Sequence, residues 1–221
     1  MIETTPLRQH ICLIGGSFNP IHMGHLQMAR SAQAHCMADE VWFMPAGTPW
    51  QKDSTHLAPV QDRLRMVELA IQGVHSWRVE TQEINTEGPN YTVDSLETLC
   101  EQHPFAQFSF IIGADQLANL TTWAHWESLF DYARIGVVDR IHWGNFSVPD
   151  PLKKHLLHNR LFRIPMPSCN ISSTRIRQQF ALLESPIAHT RETAKTTLET
   201  SLPTAVYKYL MNKLIYLPPQ A

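Results

Sequence analysis

The chain lacks the features that would place it in several large classes. It has no excess of positive charge: 18 Lys and Arg against 20 Asp and Glu give a formal net charge of -2, with 12 His neutral. A protein that coats nucleic acid needs a basic field, and no basic stripe with interleaved aromatics appears. No nucleic-acid partner is therefore expected, and any phosphate must be held by local groups. The four cysteines, Cys12, Cys36, Cys100 and Cys169, form no C-x-x-C pair. That excludes the common zinc and dithiol spacings and suits reduced, core-type thiols. No apolar run approaches the roughly 20 residues of a membrane-spanning helix. The opening MIETTPLRQH has no basic-then-apolar leader pattern. The expectation is a soluble, cytoplasmic protein without a membrane partner. No internal repeat or linker is visible, and nothing selects an oligomeric state.

What is present is an alternation of short apolar runs with helical patterns. Ile11 to Ile14 is a continuous apolar run stopped by Gly15-Gly16, and Val41 to Met44 is a second, stopped by Pro45. Such runs suit strands buried on both faces. Phe108–Ile112, Arg134–Val138 and Leu161–Ile164 read as further strands, and Trp77 to Glu83, which alternates, as another. Helical composition covers Gly24 to Cys36, Gln61 to Ile71 (Leu64, Val67 and Ile71 on one face), Thr92 to Glu101 and Pro203 to Leu214. Residues 184–200 are polar and weakly periodic, a surface loop or exposed helix without assigned chemistry. The pattern predicts an α/β fold, a Rossmann-like, doubly wound parallel sheet with helices on both faces. It predicts a single domain over 1–221, with a helical part from about 165 onward packed on the sheet. Ligands then sit beyond the carboxyl ends of the strands, after Ile14, Met44 and Ile112.

The first of those places carries Gly15-Gly16-Ser17-Phe18-Asn19-Pro20-Ile21-His22-Met23-Gly24-His25. Glycines after a buried strand let backbone N–H groups turn toward an anion, and a following helix N-terminus favours negative charge. His22 and His25, three residues apart, share one face aimed at that place. No Lys stands where G-x-x-x-x-G-K-[ST] needs it, and G-x-G-x-x-G is absent, so neither a P-loop nor a dinucleotide oxidoreductase is indicated. A second element, Asn170 to Arg177, opens another helix, with Ser172 or Ser173 as N-cap. Arg175 and Arg177 fall where the helix dipole disfavours cations. A bound polyphosphate resolves that conflict.

The first stretch resembles the G-[ST]-F-[DN]-P-x-H-x-G-H signature of the nucleotidylyltransferase superfamily, and the second its [ST]-[ST]-T-x-[IV]-R signature. Further stretches resemble the nicotinate-nucleotide branch: Pro45–Lys52 its loop after the second strand, Gly88–Thr92 its P-S-Y-T element, Ile112–Leu117 its I-G-x-D-x-L, and Thr122-Trp123 its tryptophan. Leu202 to Tyr216 resembles its closing helix. Two positions depart from the pattern: Asn19 stands for the commoner Asp, and Trp50-Gln51 for Pro-His.

The resemblance implies adenylyl transfer from ATP to nicotinate mononucleotide, giving deamido-NAD and pyrophosphate, a step of NAD biosynthesis. It implies His22, His25 and Arg175 as catalytic groups. It implies phosphate and nucleotide contacts from Gly15, Gly16, Ser17, Phe18, Lys52, Gly113, Asp115, Ser172 and Ser173. Trp123 would stack on the pyridine ring, with N–H groups of Thr92 and Ala124 on its carboxylate. Mg²⁺ would arrive bound to the ATP phosphates, and no protein metal site is expected. Two other readings stay open at this point. One is a sibling enzyme using nicotinamide mononucleotide, phosphopantetheine or CTP; the other is an idle nucleotide-binding relative.

Overall fold

Strand β1 (Gln9–Gly16) is the middle of the molecule, and its four central residues, Ile11 to Ile14, are at most 1% exposed. The structure is a computed structural model and describes residues 9–47, 57–86, 88, 90–138 and 148–217. After β1 come α1 (Met23–Cys36), β2 (Glu40–Pro45), α2 (Val60–Ile71), β3 (Trp77–Val79), α3 (Gln82–Asn85) and α4 (Thr92–Gln102). Then follow β4 (Ala106–Gly113), α5 (Ala114–Asn119), α6 (Leu129–Tyr132), β5 (Ala133–Val138), α7 (Lys153–Leu157) and β6 (Leu161–Ile164). Three helices close the chain: α8 (Ser173–Leu182), α9 (Ala188–Ser201) and α10 (Thr204–Lys213).

The strands form one sheet in the order β3-β2-β1-β4-β5-β6, every pair parallel. Alternate residues of each apolar run feed opposite faces, as period-2 geometry requires. Cys12, Ile14, Val41 and Phe43 enter one apolar cluster with α1, α2 and the C-terminal helices. Ile11, Leu13, Trp42 and Met44 enter the other, with α4, α6 and Phe110. The C-terminal helices join the first cluster through Ile176, Phe180, Leu198, Leu202, Val206 and Leu210. The strand order reverses between β1 and β4, so the crevice at their carboxyl ends is the topological switch point.

Two expectations change, and the loop-or-exposed-helix alternative left open for 184–200 resolves to a helix. The run from Trp77 to Glu83 is a strand only to Val79; Gln82–Asn85 turn into α3, and Glu83 is buried there. Residues 188–201 form helix α9, polar on most sides but anchored by Ala194 and Leu198 at 0% exposure. In α2 the buried residues are Arg63, Met66, Val67 and Ile71, so an arginine stands inside where Leu64 was expected. All four cysteines are free thiols. Among the described residues no helix is long and apolar enough to cross a membrane.

Candidate active site

The polypeptide leaves β1 through Gly15 and Gly16 and turns at Phe18, whose φ of 44° is left-handed. The Asn19–Pro20 peptide is cis. His22 is the N-cap of α1, one residue outside the helix, and His25 is its third residue. The backbone N–H of His22 donates to His25 Nδ1 at 3.2 Å. Since Nδ1 accepts, the neutral ring carries its proton on Nε2 and is a donor there. The two imidazoles stack, with centroids 3.7 Å apart and planes 24° apart, and the Phe18 ring meets His25 edge-on at 5.2 Å. His22 is 1% exposed, so its place is set by packing. Gly24 makes the stack possible: a Cβ there would stand 3.1 Å from the His22 ring and from Cys169 Sγ.

Helix α8 starts against this turn. Ser172 caps it, its Oγ accepting from the Arg175 N–H at 3.3 Å. Ser173 Oγ donates to the Pro20 carbonyl at 3.0 Å, and Arg177 Nη1 to the Asn19 carbonyl at 2.7 Å. The Asn19 side chain is turned the other way. Its Oδ1 accepts from the Ala58 N–H at 3.0 Å and from the Tyr216 hydroxyl. The position where the superfamily signature commonly has Asp thus ties the turn to the C-terminal end. Burial pushes the Tyr216 phenol pKa up, keeping it protonated as the donor.

Between these elements lies a cavity of about 570 Å³. Gly15 to Asn19, His22 and His25 line one side, Ser172, Ser173, Thr174 and Arg177 another, and Asp115 with Gln116 of α5 a third. The cavity gathers Gly15, Gly16, Ser17, Phe18, His22, His25, Asp115, Ser172 and Ser173 from the expected set. Gly113 stands at the α5 N-cap, its N–H donating to Gln116 Oε1 at 3.3 Å.

Arg175 is not part of that lining. It is exposed, with Nη1 on the Asn170 carbonyl at 3.3 Å. The reason is helical spacing: Arg177 lies four residues after Ser173 on the cavity side, whereas Arg175 lies two after it and projects away. The arginine of the superfamily signature itself falls on Arg177, so spacing alone could have chosen it. Gln116 and Met28 also line the cavity without having been singled out. Lys52 and the Trp50-Gln51 departure lie outside the described residues.

Thr92, Trp123 and Ala124 do not line this cavity. Thr92 is the first residue of α4, where the leading N–H groups have no carbonyl of a preceding turn to donate to. Trp123 is half-buried, edge-on to Phe110 at 6.3 Å. A Cβ on Gly15 would stand 3.2 Å from that same Phe110 ring. Phe110 is therefore the side chain that separates the phosphate turn from the Trp123 surface.

The sequence matches the family described as Cytidylyltransferase-like over residues 13–179. A probable nicotinate-nucleotide adenylyltransferase of Methylibium petroleiphilum is 35% identical over 220 residues, spanning 99% of this chain and 97% of that protein. One from Halalkalibacterium halodurans is 34% identical over 210 residues, spanning 94% and 91%. In fold, the chain is similar to Plasmodium falciparum nicotinic acid mononucleotide adenylyltransferase complexed with NaAD. The TM-score is 0.72 at 19% identity, covering 94% of this chain and 97% of that one.

Proposed function

Since the chain belongs to the cytidylyltransferase-like family, and within it to the nicotinate-nucleotide adenylyltransferases, we propose that its cavity holds the ATP triphosphate while the Thr92–Trp123 surface holds the pyridine. The reaction is adenylyl transfer from ATP to nicotinate mononucleotide, giving deamido-NAD and pyrophosphate. The observation that carries the residue assignment is the convergence on one cavity of a glycine turn, two stacked imidazoles and a capped helix start with its arginine.

The 5′-phosphate of the mononucleotide attacks the α-phosphorus of ATP, in line with departing pyrophosphate. The nucleophile is already an anion, so no general base is needed, and catalysis is positioning plus charge stabilisation. N–H groups of the Gly15–Phe18 turn cradle the triphosphate. His25, a donor through Nε2, and His22 behind it stabilise charge that develops on the reacting phosphates. Ser172, Ser173 and Arg177 hold the β- and γ-phosphates that leave, while exposed Arg175 contributes at longer range. Asp115 and Gly113 flank the nucleoside.

Among the described lining residues Asp115 is the only carboxylate. That donor set suits an Mg²⁺ carried by phosphate oxygens and water, not a cage of protein ligands. When bound, the ion neutralises phosphate charge. At the other surface Trp123 stacks on the pyridine, and the Thr92 and Ala124 N–H groups donate to its carboxylate. Paired donors suit an all-acceptor carboxylate, whereas a carboxamide would turn an NH₂ against one of them. One nucleotidylyltransferase domain carries all of this, its C-terminal helices supplying the second phosphate element.

The test is pyrophosphate release with ATP and Mg²⁺, comparing nicotinate mononucleotide with nicotinamide mononucleotide. The expected result is strong preference for the acid. Equal or reversed preference would overturn the pyridine assignment. Absence of release with either, despite ATP binding, would overturn the reaction.

A further inference from the structure

Arg63, in the first turn of α2, is 1% exposed. A buried arginine normally meets a carboxylate. Among the described residues no carboxylate lies within ion-pair distance of Arg63. Among the described residues its guanidinium donates to three main-chain carbonyls: Nε to Ala58 at 3.2 Å, Nη1 to Ser17 at 2.9 Å and Nη2 to Gly47 at 2.9 Å. These belong to the turn after β1, the strip after β2 and the entry to α2. A rigid planar fork reaches all three at once, which a lysine ammonium cannot do. Burial lowers the guanidinium pKa from its ordinary value, as for a cation kept from water.

The Ser17 carbonyl begins the peptide that continues to Phe18. That peptide is trans, so the Phe18 N–H points away from Arg63. Phe18 holds φ at 44°, a region a bulky residue adopts only when its surroundings impose it. Ser17 and Phe18 both line the cavity. A carbonyl that accepts from a cation polarises its peptide and strengthens the N–H at the other end as a donor to an anion.

We propose that Arg63 is a positioning residue for the triphosphate: it locks the Ser17–Phe18 peptide in its left-handed turn and places a positive charge, held by main-chain carbonyls, behind the phosphate cradle. It touches no substrate; it acts through the peptide it holds. The inference rests on the adenylyl-transfer reading of the cavity.

The test measures kcat and KM for each substrate in Arg63→Lys and Arg63→Ala, normalised to the folded fraction. Inorganic pyrophosphate is titrated by calorimetry in parallel. Arg63→Lys keeps the charge and loses the fork. Its kcat/KM for ATP is expected to fall about 10- to 100-fold, with KM for nicotinate mononucleotide changed less than about threefold. Arg63→Ala is expected to fall further and to be rescued by methylguanidinium but not by methylammonium. A merely structural arginine would lower Tm and the folded fraction while leaving both constants per folded molecule intact, and that result would overturn the proposal. So would a loss shared equally by both substrates, or rescue by either cation alike. Should Arg63→Ala not fold, Arg63→Lys decides alone. A wild-type chain that releases no pyrophosphate would undo the adenylyl-transfer reading. The titration would still judge Arg63, since unchanged pyrophosphate affinity in Arg63→Lys would overturn its role.

Discussion

The two halves of the proposed site are backed by buried groups of opposite kind. Behind the phosphate turn stands Arg63, a cation spread over three carbonyls. Behind the start of α4 stands Glu83, a carboxyl 7% exposed that accepts from Ser95 Oγ at 3.1 Å, while its main-chain oxygen accepts from Asn90 Nδ2 at 2.8 Å. Gly47 lies between the two. Its carbonyl takes Arg63, and a Cβ on it would fall 2.1 Å from the Glu83 carbonyl, so no other residue fits. A multiply charged ligand is met by donors and a cation fixed in place beforehand. A flat ring with one carboxylate is met by an aromatic surface and helix N–H groups, in front of an acid that burial keeps neutral below about pH 7. Each half thus meets its anionic group without an opposing buried charge: a cation stands behind the phosphates, and a carboxyl that burial disfavours as a carboxylate stands behind the pyridine.

If the phosphate half is where the chemistry is stabilised, its imidazole should carry the largest effect. In His25→Ala, kcat is expected to drop about 10²- to 10³-fold, the scale of losing one transition-state donor. Far-UV circular dichroism and Tm should stay close to wild type. Near-normal turnover in a folded variant would break the comparison at its strongest point. The two arginines of α8 sharpen it next. Arg177→Ala is expected to raise KM for ATP about 10- to 30-fold, since it removes a charge-assisted contact and the tie to Asn19. Arg175→Ala is expected to stay within about threefold, as an exposed, solvent-screened cation should. Steady-state kinetics on both variants would show which arginine the phosphates use, and the reverse ranking would return the role to Arg175.

Sequence periodicity was most informative where one physical rule governs. Four residues at Ile11–Ile14 without a polar interruption suit a strand covered on both faces, and two glycines after it mark the phosphate turn. The exposed helix start was also legible, since Ser172 is a good cap in any context. Periodicity failed where tertiary contacts overrode it. Glu83 alternates with its neighbours as a strand residue would, yet it sits in a turn of helix where its buried carboxyl accepts from Ser95 of α4. Arg63 reads as a surface residue of an amphipathic helix. Nothing local shows that, besides the nearby Ala58 carbonyl, those of Ser17 and Gly47 from two other loops await it. Buried charge is set by partners brought together by the fold, and those partners are the part a linear pattern does not encode.

The pyridine half gives a smaller and more selective prediction. Trp123→Ala removes an aromatic surface that stands beyond Phe110 from the phosphate turn. KM for nicotinate mononucleotide is expected to rise about 5- to 20-fold, the scale of one lost ring contact. KM for ATP should be unchanged. A variant in which ATP suffers equally would show that the two halves are not separable at Phe110.

The smallest effect on turnover, and the clearest one on stability, belongs to Glu83. Burial, which disfavours the carboxylate, raises its pKa from 4.5 to about 7, and the Ser95 hydroxyl only partly opposes this. The direction of the pH effect follows from proton binding. Between 4.5 and about 7 the folded chain holds a proton that the unfolded chain has already released. Stability from the neutral buried acid is therefore full below that window, falls as pH rises through it, and is gone above it. Glu83→Gln keeps an acceptor for Ser95 and removes the titration. Denaturant unfolding of both proteins from pH 5 to pH 8 should show wild type losing roughly 1–3 kcal/mol relative to the variant, with turnover within about twofold. Parallel stability curves would mean that the carboxyl is ionised throughout. The pyridine half would then be backed by a negative charge, and its pairing with a carboxylate substrate would need a compensating cation.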